Sequence, residues 1–145
     1  MKKDVLIWIN SVTVSKEDTV PIELYTKGSY YRKNGCYYIS YSDNDDNGLR
    51  TGKSVIKVSD GNRVSVIRAS SGTSMIIEEG TRNVCLYEIG GKEIYFGIDT
   101  EYVKNELSDS GGNLSLKYSL DVNSAPFNEV TINITVKEQG ERISV

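Results

Sequence analysis

A chain without histidine lacks the side chain that most often moves protons near neutral pH. His-based triads, His-ligated zinc or iron and imidazole acid–base catalysis are therefore excluded. The remaining reactive residue types fall into short clusters. Asp43-Asn44-Asp45-Asp46-Asn47-Gly48 opens like a calcium loop, with oxygen ligands at alternate positions and glycine sixth, but Ser54 stands where the closing bidentate glutamate belongs. It reads as a solvated acidic loop. The stretch Gly48 to Ser54 is one residue short of a phosphate loop, and no helix follows to supply an N-terminal dipole. Ser54 and Lys57 are spaced for a Ser-x-x-Lys nucleophile, which needs a helix to bring both onto one face; on a strand they oppose each other. Glu78-Glu79 and Asp99 with Glu101 could act as carboxylate pairs only at a defined separation, and exposed acidic pairs are common. The two cysteines, Cys36 and Cys85, have no histidine to complete a zinc site and no evident activating base. No metal or cofactor is expected.

Two other features point to binding. Tyr25, Tyr30, Tyr31, Tyr37, Tyr38 and Tyr41 flank Asn34-Gly35 and are interleaved with Lys27, Arg32 and Lys33. They fit a ligand-lined interior, a stacking platform for single-stranded nucleic acid, or plain cross-strand packing. Arg68 continues the parity of Val64 and Val66, so if those valines face the core it points inward near a strand end. An inward guanidinium needs an anion, either a protein carboxylate or a ligand's carboxylate or phosphate. The expected ligand-binding set is Arg68, Tyr30, Tyr37 and Tyr41.

The elements that position these residues are strands. Leu114, Leu116, Tyr118, Leu120 and Val122 alternate with polar residues, as do Val130, Ile132, Ile134 and Val136. This period of two marks strands with one buried face. Val5, Ile7 and Ile9 are odd-numbered whereas Val12 and Val14 are even, which predicts a bulge near Asn10-Ser11. Turn signals recur at Asn34-Gly35, Asp60-Gly61-Asn62, Ser71-Gly72, Glu79-Gly80, Gly90-Gly91 and Ser110-Gly111-Gly112. Longer connections fall at 43–48 and 123–128. Residues 101–107 fit either a helical turn or a continued strand. The map gives roughly ten strands with hairpin-length links, hence antiparallel neighbours. Closure into a barrel hides the edges that an open meander would expose; a two-sheet sandwich is the alternative.

The 145 residues suit one domain, 1–145, and 38% hydrophobic with 26% charged residues describes neither a disordered nor a membrane chain. A net charge of -3 gives no long-range attraction to phosphate backbones or anionic membranes, so nucleic acid is not an expected partner. Ten tyrosines against two phenylalanines and one tryptophan favour half-buried strand positions. The apolar run after Met1-Lys2-Lys3 stops at Asn10, short of a signal-peptide core, and reads as a first strand. A cytoplasmic protein with reduced thiols is the resulting expectation.

Thr26-Lys27-Gly28-Ser29-Tyr30-Tyr31, Tyr38-Ile39-Ser40-Tyr41, Val55 to Gly61, Arg68 and the two closing strands, Gly112 to Tyr118 and Glu129 to Val136, resemble the YwiB-like family of small bacterial β-barrel proteins of unknown function. The similarity runs nearly end to end. It implies an all-β, small closed antiparallel meander barrel of calycin or lipocalin type, an architecture that often holds a small apolar or acidic ligand. Leu6 replaces the glycine of the lipocalin Gly-x-Trp signature before Trp8, so lipocalin function does not carry over. The family offers no catalytic residues. A non-enzymatic cytoplasmic barrel binding a small, partly apolar or anionic ligand is the leading expectation; a protein- or RNA-interaction module using the outer Tyr/Lys/Arg surface is the alternative.

Overall fold

The computed structural model describes residues 2–44, 50–59, 62–68, 73–122 and 125–139. Positions 45–48 of the acidic hexapeptide, Asp60-Gly61, Ser71-Gly72 and most of the 123–128 connection lie outside that set or have no described side chain. Ten strands follow in chain order: β1 (Lys3–Val14), β2 (Thr19–Lys33), β3 (Cys36–Asn44), β4 (Arg50–Ser59), β5 (Arg63–Arg68), β6 (Thr73–Glu78), β7 (Arg82–Ile89), β8 (Lys92–Ser108), β9 (Gly111–Val122) and β10 (Ala125–Glu138). All described pairings are antiparallel, in the order β6-β5-β4-β3-β2-β1-β10-β9-β8-β7.

The sheet curls into a nearly closed barrel. The chain's first and last strands pair along most of their length, from Val5↔Glu138 to Val14↔Glu129, so the remaining seam falls between β6 and β7. A turn and one side chain bridge that seam. Thr81 N–H donates to the Glu78 carbonyl at 3.1 Å, and Gly80 N–H to the Thr100 carbonyl at 3.0 Å. The Glu79 carboxylate accepts the Val103 N–H at 3.2 Å. It thus satisfies an edge donor where β8 has run past its partner β7.

Local sequence explains the links. Asn34 and Gly35 have φ of 53° and 78°, the two positive values that a two-residue type I′ hairpin requires and that Asn-Gly supplies at least strain. Gly90-Gly91 repeats the device between β7 and β8, with φ of 58° and 79°. The core is the inner face of the barrel: Val5, Ile7, Tyr30, Ile39, Val58, Val64, Ile77, Ile98, Val103, Leu114 and Leu116 are all buried.

One sequence expectation is overturned, the bulge in β1, and one open alternative, residues 101–107, resolves to strand. β1 pairs with both neighbours without a register shift, so there is no bulge at Asn10-Ser11. Val12 and Val14 instead lie on the outer face, 39% and 42% exposed. On β1 the apolar residues change to the outer face while Val20, Ile22 and Leu24 of β2 keep the inner one, so the arm that β1 and β2 form beyond the end of β2–β3 pairing at Gly28↔Tyr41 is apolar on both faces. Irregularities occur at Asp43/Asn44, Thr100/Tyr102 and Pro126/Asn128. The Thr100/Tyr102 bulge leaves Glu101 as the extra residue. Residues 101–107 continue β8 as strand, paired with β9 up to Ser108↔Gly111.

Candidate functional site

Tyr30, Tyr37 and Tyr41 face the inside of the barrel, while Tyr25, Tyr31 and Tyr38 face out. At one end of the barrel Tyr30 is a plug. Its ring is 1% exposed and stacks on Tyr37 at 5.4 Å between centroids, and its hydroxyl donates to the Ser108 carbonyl at 2.7 Å. Tyr37 donates to Asp109 Oδ1 at 3.1 Å, and Lys3 Nζ donates to the Asp109 carbonyl at 2.8 Å. Burial, reinforced by repulsion from Tyr37 and Asp109, pushes the Tyr30 phenol well above its ordinary range. The hydroxyl therefore stays protonated and keeps its donor role.

Arg68 lies at the other end. Val58 pairs with Tyr37 and Val64, whereas Ser54 pairs with Tyr41 and Arg68. Four residues of β4 separate the two rows, roughly 13 Å at the usual rise per residue. Arg68 and Tyr41 therefore come together, two strands apart, and Tyr37 does not join them; Tyr30 pairs through Ile39 and Ile56 with the row of Val66, two residues from Arg68 along β5 but three strands away. The row Tyr41–Ser54–Arg68 runs across β3, β4 and β5 on the inner face. Tyr41 is buried and Ser54 fully so, while Arg68, the last residue of β5, is exposed. Among the described residues Arg68 forms no ion pair. Arg32, Arg63 and Arg82 are each paired, with Asp109, with Glu78 and with Asp99 and Asp121 respectively.

Sequence reasoning missed Ser54, which it weighed only against short motifs, a calcium loop, a phosphate loop and Ser-x-x-Lys. The signal lies in strand register: pairing to both Tyr41 and Arg68 makes it the middle of a polar row. Lys57 is on the opposite face, with its ammonium 5.8 Å from the Tyr38 ring centre. The carboxylate pairs have other work. Arg82 donates to Asp99 and to both oxygens of Asp121, over a Gly97 whose missing Cβ leaves room for the guanidinium. Glu101 pairs with Lys117 at 3.2 Å.

Burial also changes along the barrel axis. On six strands an inner residue is buried and the residue two positions nearer the Arg68 end is only partly so: Ile7 then Ile9, Val64 then Val66, Ile77 then Met75, Ile98 then Phe96, Tyr118 then Leu120, and Ile134 then Ile132. Val130, nearer still to that end on β10, is buried. The Tyr30 end is thus plugged and polar-capped, and the Arg68 end presents half-covered apolar side chains beside a cation. Thr100 adds a buried hydroxyl with no hydrogen-bond partner among the described residues. Among the described residues no group of three or more Cys, Asp and Glu is arranged to hold a metal. No described helix is long and apolar enough to cross a membrane.

Comparison with known proteins places this architecture. The uncharacterized β-barrel protein YwiB of Bacillus subtilis (strain 168) is 25% identical over 142 residues, 97% of each chain. The crystal structure of the ywiB protein from Bacillus subtilis superposes with a TM-score of 0.82 at 24% identity, covering 94% of this chain and 92% of the other. Residues 7–134 match the domain of unknown function DUF1934, and with nearly the whole barrel inside that match the chain belongs to the DUF1934 family of β-barrel proteins.

Proposed function

We propose that this protein is a cytoplasmic binding protein, not an enzyme, and that it takes one small, partly apolar anion at the Arg68 end of the barrel. The observation that carries the reading is Arg68 itself. It is a guanidinium on the inner-facing row, beside buried Tyr41 and Ser54, without a carboxylate among the described residues, next to the half-covered Val66 and Met75. An apolar tail would cover Val66 and Met75 and extend toward Phe96, and the acidic head would meet Arg68 in a charge-assisted, bidentate geometry. The calycin-like architecture implied by the family resemblance supports this by analogy of fold. Tyr30 and Tyr37 hold the far end shut and serve the site as its floor.

Native mass spectrometry of purified protein tests this. The expected result is a small acidic adduct that is retained by the parent and lost from Arg68→Gln. Adduct retained equally by both would refute the role of Arg68.

A second reading is favoured by the outer face. There Tyr31 and Tyr38 stack at 4.8 Å, with Lys2 and Lys57 over their rings. The outward positions of β2 from Lys27 onward and of β3 to β5 carry Lys27, Lys33, Lys53, Lys57 and Arg63, and no carboxylate among the described residues. Such a patch suits an acidic protein or RNA partner. A 20-nucleotide single-stranded RNA at low salt, titrated against the parent and a Lys53→Glu/Lys57→Glu variant, distinguishes this reading by whether binding exists and is lost.

A further inference from the structure

Seven exposed large apolar side chains lie on the single arm formed by β1 and the first half of β2: Val20, Ile22 and Leu24 on the face that continues the barrel's inner parity, and Trp8, Val12, Val14 and Tyr25 on the other. From Thr19 to Tyr25 every residue of β2 is exposed, and no described residue pairs with the outer edge of β2 before Gly28. Concentrated apolar surface on an unpaired edge is how a strand that expects a partner looks.

The edge has a defined polarity. In a two-residue hairpin the closing residues, Lys33 and Cys36, exchange hydrogen bonds, so odd-numbered residues of β2 aim their backbone groups toward the β3 side and even-numbered ones toward β1. The Ser15 N–H to Asp18 carbonyl bond, at 2.9 Å, agrees with this phase. The free edge therefore offers the carbonyls of Thr19, Pro21, Glu23 and Tyr25 and the N–H groups of all of these except Pro21. Proline sits at an edge position where the missing donor breaks no bond to β1.

We infer that a second copy of this chain fills that edge, with β2 pairing antiparallel to β2 about a two-fold axis through Ile22. In this register Thr19 opposes Tyr25 and Pro21 opposes Glu23. Each proline carbonyl accepts the Glu23 N–H, and about six backbone hydrogen bonds form. Val20 meets Leu24 and Ile22 meets its own copy, giving one continuous apolar strip. Glu17, in the β1–β2 turn, comes opposite Lys27 at both ends of the pairing, which is charge complementarity built into one strand. Moving the axis to Glu23 would set that carboxylate against its own copy. The interface is isologous, so it closes at two copies.

Sedimentation equilibrium of the full chain tests this. The parent sediments as a dimer at tens of micromolar. Ile22→Lys is a substitution at a side chain 57% exposed in the single chain, so it should fold, as circular dichroism would check. It raises the dissociation constant by roughly 30-fold or more by facing two ammonium groups at the axis. Glu17→Lys and Lys27→Glu each weaken the dimer, by roughly 3- to 10-fold. The double variant Glu17→Lys/Lys27→Glu restores it. A parent monomeric at 100 µM overturns the inference. So does a dimer indifferent to Ile22→Lys, assembly that grows without limit, or a double variant no tighter than the singles.

Discussion

Replacing Tyr30 with phenylalanine removes one oxygen from the sealed end of the barrel and leaves the ring in place. That ring is 1% exposed, so the substitution opens little space; what it loses is the 2.7 Å hydrogen bond to Ser108. Ser108 itself is exposed, so water replaces the phenol at its carbonyl. The cost is that of one net hydrogen bond, about 0.5–1.5 kcal/mol, or roughly 2–6 °C in Tm for a domain of this size. A second signature follows from the raised phenol. Its ordinary value, 10.0, describes the unfolded chain, and in the folded protein the proton is held to higher pH. Between those two values the folded state binds the extra proton, so the stabilisation is complete below pH 10 and is lost as pH rises. Each unit removes about 1.36 kcal/mol. Urea titrations of parent and Tyr30→Phe at pH 8 and at pH 11 check both points. The parent should be the more stable at pH 8, and its advantage should shrink or reverse at pH 11. Equal stability at pH 8, or a gap that does not change with pH, would refute the view of Tyr30 as a protonated, buried donor.

Further outcomes follow from the same geometry. A Cβ at Gly28 would collide with the Ser40 carbonyl oxygen and come within 2.6 Å of Ile7 Cδ1, so Gly28→Ala should cost about 2–3 kcal/mol by overpacking; an unchanged urea midpoint would contradict this. Of the two free thiols, Cys85 is buried and its thiol is pushed up by that burial, whereas Cys36 is only partly covered. One equivalent of Ellman's reagent should therefore react promptly with native protein, at Cys36, and the second only on unfolding. Prompt reaction of Cys85 would mean that the β7 side of the barrel opens readily.

Much of this architecture is legible in the residues because alternation states which face of a strand is apolar. The β9 and β10 stretches, the Asn34-Gly35 hairpin and the inward parity of Arg68 all follow from local pattern, whereas the six tyrosines left open which of them face in. Alternation does not state how far along the barrel a residue sits. Register decides that, and it separates Arg68 from Tyr37 while bringing Ser54 beside it; Tyr30 is held apart by the strand order, three strands away. Nor does alternation say whether an apolar face meets a core. Val12 and Val14 face out because β1's unbroken pleat turns its even-numbered residues outward. An apolar pair off the inner parity reads as a bulge when every apolar side chain is assumed to seek the same interior. Glu79 illustrates a third kind of residue, an apparent member of an acidic pair whose role at the seam depends on contacts with a strand more than twenty positions away.

The claim that the Arg68 end holds an anion is tested most directly with two fluorescent probes of similar size, 8-anilinonaphthalene-1-sulfonate, which carries a negative charge, and the neutral N-phenyl-1-naphthylamine. Both should bind the parent saturably at one site through the half-covered apolar residues. Arg68→Gln should weaken the sulfonate by roughly 5- to 10-fold, about 1–1.4 kcal/mol, and leave the neutral probe unchanged. Equal affinities of parent and variant for the sulfonate, or no saturable binding of either probe, would contradict the account.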